Sequence, residues 1–63
     1  MNELILEKIG KFIDQNYISN YKIEGYFGFA YLTVYTGEGD KLIFHYYLVG
    51  DEVVRELKQN VEA

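Results

Sequence analysis

The stretch from Tyr26 to Leu48, YFGFAYLTVYTGEGDKLIFHYYL, decides the fold. Two runs rich in tyrosine, phenylalanine and aliphatic residues flank a centre of glycines and carboxylates. Aromatic and β-branched side chains suit a pleated surface. Gly37-Glu38-Gly39-Asp40 suits a turn, because glycine takes positive φ without steric cost. The stretch therefore reads as an antiparallel hairpin. With its turn centred on Glu38-Gly39, residue 36 pairs with 41 and 35 with 42, and paired residues share a face. One face then carries Phe29, Tyr31, Thr33, Tyr35, Leu42, Phe44, Tyr46 and Leu48. The other carries Ala30, Leu32, Val34, Ile43, His45, Tyr47 and Val49. A turn of odd length would shift the pairing by one and mix the two sets.

Upstream, Asn2 suits a helix cap, and Glu3 sits favourably at the positive end of the helix dipole. Leu6, Ile9 and Ile13, with Ile5 and Phe12, recur at helical spacing, and Glu7 and Lys11 form an i,i+4 pair. The period breaks near Asn16. Residues 21–36 favour strand but contain Gly25 and Gly28. A turn between a short strand at 21–24 and a longer one at 28–36 fits ordinary strand lengths better than one long bulged strand. Downstream, Asp51 follows Gly50 as a cap, and Val53, Val54, Leu57 and Val61 make an apolar face of a second helix. The predicted fold is one α+β domain over residues 1–63. It runs N-terminal helix, antiparallel β-hairpin or three-stranded meander, C-terminal helix (αββα or αβββα).

Size points to a partner. A chain of 63 residues buries only about 60% of its unfolded surface. Its core supplies roughly 3–5 kcal/mol, so small domains usually carry a staple. There is no cysteine and only one histidine, which excludes disulfides and disfavours structural zinc. Oligomerisation is the remaining staple. The face with Phe29, Tyr31, Tyr35, Phe44 and Tyr46 bears five rings, each able to bury about 150–250 Å². A monomer rarely exposes a contiguous apolar patch above roughly 300–600 Å². One helix over each face would leave a self-sufficient monomer. Pairing of two protomers through the aromatic face or the edge strands also solves the size problem, and a symmetric homodimer is the expectation.

The net charge of −4 repels phosphate backbones and disfavours nucleic acid as a partner. No apolar run approaches the roughly 18 residues of a membrane span, and no basic-then-apolar leader is visible at the N-terminus. These features predict a cytoplasmic protein of the producing or infected cell. His45 is the only imidazole, and Ser19, in a connector, the only serine. A catalytic histidine needs a nucleophile or an orienting carboxylate, so His45 reads as structural. An enzyme would need a site built across a dimer interface around it. Glu38 and Asp40 lack the spaced oxygens of a calcium loop and read as a solvated turn. No catalytic residue, cofactor or metal is predicted.

Phe27-Gly28-Phe29-Ala30 resembles four residues of the aromatic strand motif of RNA-recognition domains, but Gly25 and Tyr26 stand where that motif has a basic residue and glycine. Single-stranded nucleic acid on an aromatic sheet face is thus an alternative reading. In size, acidity and aromatic content the chain also resembles small acidic inhibitor proteins encoded by phages and mobile elements. That resemblance implies a dimer that occupies a host protein's surface, and it carries over no residue.

The leading expectation is a non-enzymatic interaction module that dimerises and binds a protein target with a basic surface. Its seven tyrosines supply apolar area together with a hydroxyl. The interface set is Phe29, Tyr31, Tyr35, Phe44 and Tyr46, with Tyr26 and Tyr47 as further anchors. Glu38, Asp40, Asp51, Glu52 and Glu56 would steer association. A structural or assembly subunit is the alternative from another class.

Overall fold

The structure is a computed structural model that describes residues 1–61, with side chains described as far as Lys58. It contains helix α1 (Glu3–Gln15) and strands β1 (Tyr21–Tyr26), β2 (Phe29–Tyr35), β3 (Lys41–Val49) and β4 (Glu52–Val61). The strands form one antiparallel meander in the order β1-β2-β3-β4. The helix lies on one side of this sheet, against β2, β3 and β4.

The helix ends as its sequence dictates. The Asn2 side chain accepts from the Leu4 and Ile5 N–H groups at 2.8 and 3.4 Å, satisfying donors that the first turn leaves free. At the other end the Ile18 N–H donates to the Ile13 carbonyl at 3.0 Å, and the Tyr17 N–H to Asp14 at 3.3 Å. This is a Schellman closure. Tyr17 holds the left-handed position at φ 53°, where glycine is usual. On the outer surface Glu7 and Lys11 pair at 3.3 Å. Ile5 and Ile9 are fully buried, and Phe12 and Ile13 partly so, whereas Leu6 stays half exposed.

The predicted C-terminal helix is absent, so neither αββα nor αβββα describes the chain. Residues 52–61 are instead the fourth strand. Two physical causes favour the strand. Gly50, at φ 62°, and Asp51 form a two-residue hairpin turn between the paired Val49 and Glu52, and a glycine with positive φ at the first central position matches a type II′ turn. Strand β3 is also nine residues long and apolar on both faces, and would otherwise be an open edge. Pairing satisfies that edge. Helical spacing of Val53, Val54 and Leu57 is lost to this long-range gain. Lys58 is the extra residue of a bulge, since Leu57 pairs with Phe44 and Gln59 with Ile43.

The first turn also moved. Strand β1 runs through Gly25 to Tyr26, and the turn is Phe27-Gly28, with Gly28 at φ 88°. Gly25 lies against Met1: a Cβ there would lie 2.5 Å from Met1 Cε, the end of a flexible side chain that would have to turn aside. The β2–β3 loop has odd length. Thr36 and Asp40 join through a 3.0 Å backbone hydrogen bond, leaving Gly37-Glu38-Gly39 between them. The Thr36 hydroxyl accepts from the Glu38 and Asp40 N–H groups at 3.3 and 3.1 Å, and Gly39 takes φ 90°. Tyr35 therefore pairs with Lys41, and Phe29 with Tyr47. The predicted register was one residue out, which moved every side chain of β3 to the other face.

The core follows from the corrected register. Ala30, Leu32 and Val34 from β2 and Tyr46 from β3 meet Ile5 and Ile9 of the helix. Phe44 packs edge-on to Phe12 at 5.0 Å. The Arg55 guanidinium lies over the Phe12 ring at 4.1 Å, closing the β4 side of the core.

Candidate functional site: the open face of the sheet

The helix covers one face, and no element among the described residues lies over the other. Register assigns that open face row by row. At one end Tyr26, Phe29, Tyr47 and Val54 lie across the four strands. The next row is Glu24, Tyr31, His45 and Glu56, followed by Lys22, Thr33 and Ile43, then Tyr35 and Lys41.

The rings of the first two rows form one continuous cluster. Tyr26 stacks on Phe29 at 4.8 Å, and Tyr31 meets Phe29 edge-on at 5.8 Å. Tyr31 stacks on His45 at 4.9 Å, and His45 lies 4.9 Å from Tyr47. Cross-strand aromatic pairs of this kind each contribute roughly 0.2–1 kcal/mol to the sheet. Stacked and edge-on contacts both occur among these rings, and together they make an aromatic platform on the sheet.

Carboxylates flank the platform. The Tyr47 hydroxyl donates to Glu56 Oε1 at 2.6 Å, and this bond to a carboxylate raises the Tyr47 pKa. Lys22 approaches Glu24 at 4.0 Å, and the Lys41 ammonium lies 5.9 Å from the Tyr35 ring centre. The platform is thus acidic beside its rings and basic toward the β2–β3 loop.

Of the seven aromatic residues expected at an interface, five lie on this face: Tyr26, Phe29, Tyr31, Tyr35 and Tyr47. Phe44 and Tyr46 do not. The register shift turns them under the helix, where Tyr46 is fully buried. Burial raises the Tyr46 pKa; nearby Arg55 offsets part of that shift, yet the hydroxyl has no hydrogen-bond partner among the described residues. The same shift brings His45 out, at the centre of the ring cluster. An odd loop closed by Thr36 and Gly39 was the sequence signal for this arrangement.

The steering carboxylates are not brought together. Glu38 and Asp40 sit in the β2–β3 loop, and the Asp40 N–H organises that loop. Asp51 and Glu52 lie at the opposite end, in and beside the β3–β4 turn. Only Glu56 joins the open face, where Glu24 is a partner that the sequence reading missed. Fully exposed Phe27 was missed as well. It projects from the β1–β2 turn beside a hollow of about 390 Å³ lined by Met1, Asn2, Gly28 and Leu48.

Among the described residues, no group of three metal-ligating side chains converges, and no helix is long and apolar enough to cross a membrane. Comparison of the chain with family models, curated proteins and solved structures found no match.

Proposed function

We propose that this chain is a non-enzymatic protein-interaction module that works through its open aromatic face. One observation carries the reading: Tyr26, Phe29, Tyr31, His45 and Tyr47 form a connected ring cluster on a sheet face with no covering element among the described residues. Tyrosine and phenylalanine at such density are the usual anchors of protein contacts, since they bring large apolar area with few rotatable bonds. The non-enzymatic reading is supported by the setting of His45. It is stacked between two tyrosines, and the carboxylate of its cross-strand neighbour Glu56 accepts from Tyr47.

The net charge of −4 and the Glu24 and Glu56 flanks favour a basic protein surface as target and oppose a phosphate backbone. Size and acidity shared with phage-type inhibitors support a blocking role in the cytoplasm of the cell that makes the protein.

A photoreactive phenylalanine analogue tests the contact surface. Placed at Ile43 on the open face, it should cross-link the chain to protein in the producing cell. Placed at Lys8, on the outside of the helix, it should not. No cross-link from position 43 would overturn the reading.

A further inference from the structure

We infer that the occupant of the open face is a second copy of this chain, packed face to face about a two-fold axis running across the strands. This rests on the reading of that face as a contact surface and names its partner. Two observations carry it: area and the order of charges.

The four strands hold 6, 7, 9 and 10 residues. At about 3.4 Å per residue and about 4.8 Å between strands, the face spans roughly 500 Å² per copy, so a pair reaches the approximately 1,000 Å² that a specific interface must clear. A second copy of the same sheet would cover the whole face, at the ordinary sheet-to-sheet spacing of about 10 Å.

Charge order selects the axis. A two-fold axis running across the strands lays each strand over its own copy and reverses the rows. Centred between the Glu24 and Lys22 rows, it sets Glu24 opposite the partner's Lys22, and Lys22 opposite the partner's Glu24. The large Tyr31 then meets the partner's smaller Thr33, and Tyr47 meets the partner's Lys41. An axis parallel to the strands would instead lay β1 over β4 and set Glu24 against the partner's Glu56. Opposed like charges are disfavoured at an interface. Of these two axes, only the one across the strands makes the charges self-complementary, as an isologous contact requires.

Sedimentation equilibrium on the purified full chain tests the inference. The expected mass is twice 7.4 kDa, and a particle that stays at 7.4 kDa at about 1 mM, a weak limit for any specific interface, would overturn it. Tyr31→Glu should give the monomer with the far-ultraviolet circular dichroism unchanged. Tyr26→Glu, at the half-exposed edge of the cluster, should do the same if the first variant fails to fold. Glu24→Lys should weaken pairing about five-fold, and adding Lys22→Glu should restore it. Tighter pairing with Glu24→Lys alone would overturn the axis. Cross-linking from position 43 separates the two readings. A product at twice the chain mass alone supports self-pairing through the contact surface and overturns a separate basic target on this face. A product formed only with a different protein keeps the contact surface and overturns self-pairing.

Discussion

Leu32 and Tyr31 are neighbours on the same strand, yet they belong to two different surfaces. Leu32 faces the helix, has no exposed area and joins Ile5, Ile9 and Tyr46 in the core. Tyr31 faces away, is part-buried, and is held among the Tyr26, Phe29 and His45 rings. The covered face is aliphatic with few rings, and it is where burial stabilises the fold. The open face is ring-rich, charged at its margins, and lacks a second layer among the described residues. The contrast teaches that a single helix suffices for one side of a four-stranded sheet, and that apolar material on the other side is left outside the core.

The strongest way to break this contrast is to truncate both neighbours. Leu32→Ala should cost about 3 kcal/mol, enough to unfold a domain this small, as thermal melting followed by circular dichroism would show. Tyr31→Ala should cost the isolated fold about 1 kcal/mol through its lost ring contacts, leave it standing, and act mainly on association. Equal losses in dilute protein would mean that the open face is also part of the core.

Next in size is the helix that separates the two faces. Tyr17 holds a left-handed conformation at φ 53°, which costs roughly 1–2 kcal/mol in a residue with a Cβ. Tyr17→Gly should therefore raise the denaturation midpoint, with a gain near 1 kcal/mol after the added chain entropy of glycine. Pairing through the open face should not change.

Tyr46 and Tyr47 sharpen the comparison further, being adjacent residues on opposite faces. Tyr46 buries a hydroxyl without a partner among the described residues, so Tyr46→Phe should stabilise the fold by about 1 kcal/mol. The pH dependence has a definite sign. The folded Tyr46 pKa lies above the ordinary 10.0, so the folded protein holds a proton that the unfolded chain releases. That contribution is complete below pH 10.0 and is lost as pH rises through the folded value. Tyr46→Phe should shrink the alkaline loss of stability, measured as melting temperature against pH. Tyr47→Phe removes an exposed hydrogen bond to Glu56, and should give the smallest effect, a melting temperature close to that of the parent.

Local signals carried the first half of the chain. Asn2, the Ile5 and Ile9 spacing, and the Glu7–Lys11 pair specify α1 from contacts within one or two turns. The turn chemistry of Gly37–Asp40 likewise located the central hairpin. The later failures arose where a local pattern had two solutions. Val53, Val54 and Leu57 fit a helical stripe, but residues 53, 55 and 57 also fit the covered face of a strand. Gly50-Asp51 could cap a helix or make a two-residue turn. In the candidate site, Tyr26, Phe29, Tyr31 and Tyr35 were legible because β2 and the Tyr26 end kept their side, and Tyr47 because it was set apart as a further anchor off the aromatic row. Phe44 and Tyr46 were not, because a single residue of loop length exchanged them with His45 and Tyr47.

The sequence by itself determined the opening helix, the central hairpin, the acidity and the excess of aromatic side chains. These depend on composition and on neighbours a few residues apart. Only the tertiary structure decided that residues 52–61 extend the sheet, and which rings lie under the helix. Strand pairing joins residues distant in the chain, and with side chains alternating every residue, a shift of one reverses what is buried and what is offered to a partner.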